Sequence, residues 1–240
     1  MGYVEGFVVA VPAANKETYL RHAAACLPLF KEFGATRVVE AWGDDVPDGK
    51  LTDFRRAVKA REDEVVVFAW IEYPDRATRD EAGRKMASDP RAQALSEDFP
   101  FDGTRMIYAG FQQIVDLNGG GRAGYIDGTI LPAPAGAGQA YREWATTVAQ
   151  VFLDHGASRV VDAWGDDVPD GKVTDYKGAV QAGADETVVF GWIEWPSKAA
   201  REAGWRNVMS DSRLAPDAAA LAHDGMKRMV TGGFAPILDA

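Results

Sequence analysis

The chain reads as an α+β protein made of two βαββαβ units whose antiparallel sheets pair into one barrel. Three observations predict this. The stretch AWGDDVPDGK at 41–50 recurs letter for letter at 163–172, and an offset of 122 aligns residues 2–103 with 124–225 without a gap. Within each copy, segments of alternating polarity and helical segments follow one another as strand, helix, strand, strand, helix, strand. That order implies a four-stranded antiparallel sheet with both helices on one face, the ferredoxin-like arrangement. The chain accordingly divides into a first repeat at 1–116, a Gly-rich linker at 117–123 and a second repeat at 124–240.

In the first copy, Tyr3 to Val11 is β-rich, and Pro12-Ala-Ala-Asn15 leads into a helix from about Lys16 to Phe33 that Gly34 terminates from the C′ position. Leu20, Ala23, Ala24, Leu27 and Phe30 supply its apolar spacing, with the stem of Lys31 at the margin. Thr36 to Asp45 forms the second strand. Glu64 to Tyr73, rich in Val, Phe, Trp and Ile, forms the third. Between them Thr52 or Asp53 can cap a short helix through about Ala60, because a side-chain oxygen there accepts from an orphan backbone N–H. Pro74 closes the third strand, a second long helix runs from about Asp75 to Ser88, and the last strand follows Gly103.

One face of such a sheet carries the helices, and the other needs cover as well. Period-two reading assigns Val4, Gly6, Val8, Val39, Ala41, Val67, Ala69 and Ile71 to the helix side. It assigns Tyr3, Glu5, Phe7, Glu40, Trp42, Asp44, Phe68, Trp70 and Glu72 to the opposite side. Burying one Trp ring of roughly 150 to 250 Å² at about 25 cal/mol per Å² contributes about 4 to 6 kcal/mol as an upper figure. An aromatic face of that kind calls for a partner. The simplest is the same face of the second copy, with Tyr125, Asp127, Asp162, Trp164, Asp166, Phe190, Trp192 and Glu194.

Several of these motifs resemble a known family. Val38-Val-Glu-Ala-Trp-Gly-Asp-Asp-Val-Pro-Asp-Gly-Lys50, Thr52-Asp53, Val67-Phe-Ala-Trp-Ile-Glu-Tyr-Pro74 and Phe101-Asp-Gly-Thr-Arg-Met-Ile-Tyr108 are similar to the small bacterial YbaA-like family, catalogued as a domain of unknown function. The resemblance implies the dimeric α+β barrel superfamily, here as a fusion of two copies in one chain. That superfamily contains cofactor-free monooxygenases, isomerases, cyclases, haem enzymes and ligand-binding proteins, so the fold alone selects no reaction. The second copy departs from the pattern at Ser212, at His223 opposite Phe101, and at Pro132 in its first strand.

Divergence between the copies is uneven. Residues 37–50 match 159–172 at 13 of 14 positions, whereas helix residues 13–33 match 135–155 at only 4 of 21. Asp44, Asp45 and Asp48 offer hard oxygen ligands for a divalent cation. Their spacing fits no established calcium loop, and Pro47-Asp-Gly49 has a sufficient reading as a turn, so a structural role between the copies is preferred and no metal is assigned. The carboxylates on the aromatic face carry more chemistry. Glu72 and Glu194 recur unchanged, while Glu5/Asp127 and Glu40/Asp162 keep the acid and change its length. A carboxyl enclosed by Trp and Phe has its pKa raised by desolvation and suits proton transfer near neutral pH. The competing reading is a barrel-core ion pair with Arg37, Arg105 or their counterparts Arg159 and Arg228. His22, His155 and His223 align with Trp144, Phe33 and Phe101, and Cys26 with Val148, so none forms a duplicated site. Packing or surface roles account for them.

The composition is that of an ordinary globular protein, with 47% apolar and 26% charged residues. Net charge is −10, and both halves are acidic: 16 Lys and Arg against 20 Asp and Glu over 1–122, then 10 against 16. That balance gives no attraction to nucleic acid or anionic membrane. One cysteine permits no internal disulfide, no apolar run approaches a membrane span, and no secretion signal is recognisable, so a cytoplasmic location is expected. Nucleotide-binding, zinc and serine-hydrolase motifs are absent. The sequence therefore predicts a small-molecule-binding barrel, or a cofactor-free enzyme for an apolar or aromatic metabolite, with Glu72 and Glu194 as proton donor or acceptor. Trp42, Trp70, Trp164 and Trp192 are its expected pocket walls, joined by Glu5, Glu40, Phe68, Asp127, Asp162 and Phe190. The alternatives are a non-catalytic ligand-binding or stress-associated protein and an interaction module with a filled barrel. The repeats pair with each other, and further homo-oligomerisation stays open.

Overall fold

The structure, a computed structural model, describes residues 2–96, 99–214 and 223–240. The first unit contains β1 (Tyr3–Pro12), α1 (Lys16–Glu32), β2 (Arg37–Asp45), α2 (Phe54–Ala57), β3 (Glu64–Tyr73), α3 (Arg76–Ser88), α4 (Pro90–Ser96) and β4 (Ile107–Asn118). The second contains β5 (Tyr125–Pro134), α5 (Gly138–Asp154), β6 (Arg159–Asp167), α6 (Tyr176–Ala179), β7 (Glu186–Trp195), α7 (Lys198–Val208), α8 (His223–Lys227) and β8 (Val230–Asp239). The last strand of the first unit thus extends through Asn118, into the Gly-rich stretch. Among the described residues, no helix is long and apolar enough to cross a membrane.

Sequence logic holds at most of the boundaries. Asp53 caps α2 by accepting from the Arg56 amide at 2.8 Å, and Asp75 caps α3 by accepting from the Thr78 amide at 2.8 Å. Gly34 sits at φ +107°, a conformation that costs a residue with a Cβ and stops α1 where the sequence placed the stop. Helix α4 was not read from the sequence. It is a short segment begun by Pro90, a residue favoured in a first helical turn.

All eight strands close into one barrel in the order β1-β3-β2-β8-β5-β7-β6-β4, every neighbour antiparallel. Each unit contributes four adjacent strands. The units meet along two seams, β2 with β8 and β4 with β6, where shifts in register mark irregular pairing. Closure leaves no sheet edge for further strand pairing.

The registers correct the sequence reading of the faces. Directly opposed residues of an antiparallel pair share a face, and Val4, Gly6 and Val8 oppose Glu72, Trp70 and Phe68. On the next strand Ala41 opposes Phe68 and Val39 opposes Trp70. The barrel interior is therefore lined by Val4, Val8, Val39, Ala41, Phe68 and Trp70 with their counterparts. Tyr3, Glu5, Phe7, Glu40 and Trp42 lie on the helix side with Ala69 and Ile71, as do Asp127, Asp162 and Trp164 in the second unit. The sequence phase was right for β3 and β7 and inverted for β1, β2 and their copies. Those strands carry apolar or small residues on both faces, so alternation alone did not distinguish inside from outside.

The interior is filled by rings from both units. Phe68 stacks on Phe190 with centroids 4.6 Å apart, and Trp70 lies 4.4 Å from Trp192. Gly6 and Gly128 make this possible: a Cβ on either would come within about 3 Å of the Phe190 or Phe68 ring. Phe54 of α2 and Tyr176 of α6 pack their rings into the same cluster. The two short helices are tied across the pseudo-twofold axis, where the Thr52 hydroxyl donates to the Ala179 carbonyl and the Thr174 hydroxyl to the Ala57 carbonyl.

Candidate functional site

Glu72 and Glu194 point into the barrel, beyond the stacked indoles. Arg159 donates to both oxygens of Glu72 at 2.8 Å, and Arg37 donates to both oxygens of Glu194 at 2.6 and 3.1 Å. Each pair joins one unit to the other. The indole N–H groups of Trp70 and Trp192 donate to Glu72 and Glu194 at 3.1 and 3.0 Å. The far sides of the guanidiniums bind Asp116 and Asp239. Every carboxylate oxygen of Glu72 and Glu194 has a charged donor. Arg105 and Arg228 are engaged elsewhere, with Glu64 and Glu186. Among the partners the sequence offered, Arg37 and Arg159 are the ones that meet these acids.

The acidic loop also crosses between the units. Asp44 accepts from the Tyr125 hydroxyl at 2.8 Å and from Lys198 at 2.6 Å, and Asp45 accepts from Arg201 at 2.7 Å. The mirror contacts are Asp166 with Tyr3 and Arg76, and Asp167 with Arg79. Arg79 and Arg201 continue inward to Glu5 and Asp127. Each seam therefore carries an acid–Arg–acid chain running from strand end to helix layer. No group of three or more His, Cys, Asp or Glu among the described residues is placed to hold a metal ion.

Two apolar cavities lie outside the barrel, between each sheet and its helices. A cavity of about 200 Å³ in the first unit is lined by Phe7 of β1, Tyr19, Cys26 and Phe30 of α1, Glu40 of β2 and Phe101. Its counterpart of about 300 Å³ in the second unit is lined by Thr129, Tyr141, Trp144, Phe152, Asp162 and Trp205, among others. Both walls are overwhelmingly apolar. Each has one carboxyl group, Glu40 or Asp162.

Helix α1 places Tyr19 directly over β2, where its hydroxyl donates to Glu40 at 2.6 Å. In the second unit Tyr141 of α5 lies near enough to Asp162 to hold its carboxyl down and to have its own phenol raised, the same electrostatic relation. Both carboxyls are half-buried and face the cavities. Desolvation therefore outweighs the tyrosine hydrogen bond, and Glu40 and Asp162 are each pushed up to about 7. The phenols are shifted upward as well. Burial, reinforced by the neighbouring carboxylate, holds Tyr19 and Tyr141 far above their usual value, so each remains a donor.

The copies keep the pair with compensating sizes. Glu40 opposes Ala69 on β3, whereas the shorter Asp162 opposes Gly191 on β7, where a Cβ would lie 2.5 Å from its Oδ1. Tyr19 and Tyr141 escaped the sequence reading, although a signal was present. The four identities in the diverged helix are Ala13, Tyr19, Ala23 and Phe30. Three of those four line the first cavity. Helix α1 also buries Tyr19, Ala23 and Leu29 rather than the expected stripe from Leu20 and Ala24. A phase error of one residue hid the tyrosine.

The other predicted site residues fall into separate places. Phe68, Trp70, Phe190 and Trp192 form the barrel core, the phenyl rings stacked and the indoles tilted against each other, and Trp70 and Trp192 also border the first and second cavities. Trp42 and Trp164 flank Tyr19 and Tyr141, with ring centroids at 6.3 and 5.5 Å. In the helix layer Asp127 is buried and Glu5 half-buried; both have raised pKa values, desolvation being the main cause, and are balanced by Arg201 and Arg79. Cys26 lines the first cavity with His22 3.7 Å away, and burial raises its thiol to about 11. His155 pairs with Asp211, and the side chain of His223 lies outside the described residues.

Comparison with known proteins places this chain in a family. The model of the family described as protein of unknown function (DUF1428) matches residues 2–103 and again 124–225. The chain belongs to this family, as a duplicated member. The uncharacterized protein YbaA of Escherichia coli K12 is 63% identical over 116 residues, which cover 48% of this chain and 99% of YbaA, and the Shigella flexneri protein matches to the same extent. Among solved structures, proteins named "putative monooxygenase" from Fusobacterium nucleatum and Lactobacillus acidophilus superpose with a TM-score of 0.58. Identities are 8% and 7%, with 99% and 100% of this chain and 93% and 95% of theirs covered. An anthrone oxidase-like protein gives 0.52 at 11% identity, with 100% and 92% covered. At these identities the likeness is one of fold.

Proposed function

We propose that the chain binds a small, largely apolar organic molecule in each helix–sheet cavity, and that Glu40 and Asp162 exchange a proton with it. The observation carrying this reading is the tyrosine–carboxyl pair, present in both units at the mouth of no other polar cluster and facing an apolar cavity. A carboxyl with a pKa near 7 is about half ionised at neutral pH, which suits it to take a proton and return it. The ionised oxygen accepts the proton of a carbon adjacent to a carbonyl or of a phenolic hydroxyl. The tyrosine holds the second oxygen and fixes the direction of attack, and the apolar walls keep water from competing.

Two features favour this pair over Glu72 and Glu194 as the proton-transfer groups. The barrel acids already have both oxygens occupied by guanidinium and indole donors, and neither lines the two apolar cavities. Glu40 and Asp162 face open volume. The names of the structural neighbours, monooxygenase and anthrone oxidase-like, agree with an aromatic carbon acid as the substrate class, by analogy of fold.

Deuterium exchange tests the reading. Anthrone and 2-tetralone are incubated with the protein in heavy water, and loss of the acidic C–H signal is followed by NMR. Acceleration of about 100-fold over buffer, rising with pH to a plateau above about 7 and abolished by Glu40→Gln with Asp162→Asn, is expected. Thermal stabilisation by these compounds without exchange would make the protein a ligand carrier. Exchange that survives the double variant would remove both carboxyls from the chemistry.

A further inference from the structure

The two cavities have kept the tyrosine–carboxyl pair while replacing much of what surrounds it. Where the first has His22 and Cys26 on α1, the second has Trp144 and Val148 on α5. Gly83 of α3 corresponds to Trp205 of α7, and Phe7 of β1 corresponds to Thr129 of β5. A cavity kept only as a packing defect would have no reason to retain its one ionisable pair amid such change.

The replacements have a direction. Trp205 is fixed in place: its indole N–H donates to buried Asp127 at 2.7 Å, and Phe152 packs edge-on against it at 4.9 Å. Trp144 is set against Tyr141 with centroids 5.5 Å apart, in an edge-to-face arrangement. The second cavity therefore presents two large indoles, one anchored by a charge-assisted hydrogen bond, near a single acid. Pre-positioned aromatic walls of this kind favour a flat aromatic ligand, because stacking is gained without ordering the side chains first. The first cavity has Trp70 of β3, as the second has Trp192, but no indole from its helices; the smaller rings of Phe7, Phe99 and Phe101 line it, with His22 and Cys26 one turn apart on α1. The smaller volume, about 200 against 300 Å³, and the two polar side chains that have Trp144 and Val148 as counterparts suit a smaller ligand with a polar group.

We propose that the two cavities bind different ligands, the second a flat bicyclic or larger aromatic held by Trp144 and Trp205, the first a smaller and more polar molecule. The proposal rests on the reading of both cavities as ligand sites. Fusion makes the divergence possible, because each half of the chain changes independently, whereas two identical subunits must carry identical cavities.

Calorimetric titration of the intact chain with 2-naphthol tests it. One molecule should bind per chain. Trp144→Leu, which keeps the wall apolar but removes the ring, should weaken binding at least about tenfold, a loss in the range of aromatic contacts. Cys26→Leu, which narrows the first cavity, should change the affinity less than about twofold. Trp144→Phe restores a ring and should recover part of the loss, separating stacking from simple misfolding. Two equal sites, or a loss caused by Cys26→Leu and not by Trp144→Leu, would overturn the proposed division while leaving both cavities as ligand sites. No binding to either cavity would overturn the division and the ligand-site reading together.

Discussion

Glu40 is the residue at which stability and chemistry oppose each other. Its carboxyl is protonated in the folded chain up to about pH 7, whereas an unfolded glutamate ionises near 4.3. The folded state therefore binds the extra proton, and by linkage the associated stability is complete below about pH 4 and declines as pH rises through 7. Glu40→Gln should raise the melting temperature at pH 8, by an amount corresponding to at most about 4 kcal/mol, and change it little at pH 4.5. Equal shifts at both pH values in a melting experiment would contradict this. Tyr19→Phe removes the hydrogen bond that favours the carboxylate, so the midpoint for Glu40 should move further upward. A downward shift in the pH profile of deuterium exchange would show that the phenol acts otherwise. The sequence marked Glu40 and Asp162 as acids of interest but set them on the barrel side, and it overlooked Tyr19 and Tyr141 because α1 was read one residue out of phase.

At the scale of elements, strands and caps were legible because they rest on local chemistry. Asp53 and Asp75 announce the starts of α2 and α3, Gly34 announces the end of α1, and the bounds of β3 follow from its Val, Phe, Trp and Ile content. Which face of β1 and β2 turns inward was not legible. Facing is decided by partners across the barrel, and Gly6 reads as neutral in a strand until the Phe190 ring is seen against it. That contact makes a prediction. Gly6→Ala should destabilise the protein by about 1 to 3 kcal/mol by overpacking, and urea unfolding measures it. A neutral effect would mean that the Phe68–Phe190 stack yields readily. The exposed Lys198–Asp44 pair should matter far less, with Lys198→Ala costing under about 1 kcal/mol.

For the whole molecule, the duplication read from the sequence is what closes the barrel, and the closed barrel carries the cross-unit network of Glu72, Glu194, Arg37 and Arg159. Glu72→Ala leaves Arg159 only Asp116 and the more distant Glu194 and removes the acceptor of the Trp70 indole, so it should cost roughly 1 to 3 kcal/mol in denaturant unfolding. Two strand seams also join the units independently of the chain connection. Cleavage engineered at Gly120–Gly121 should therefore leave the halves co-eluting in size exclusion, and their separation would mean that the linker holds the barrel together. The cavities, by contrast, lie within each unit, between sheet and helices, and their location was invisible to a sequence reading that sought the site between the units. The account stands or falls on the ionisation of their two acids. The most direct measurement is a carboxyl ¹³C NMR titration of protein labelled at Glu and Asp side chains, with Glu40→Gln and Asp162→Asn assigning the signals. Inflections near pH 7 for both Glu40 and Asp162 are predicted, and titration of both below pH 5 would contradict the account.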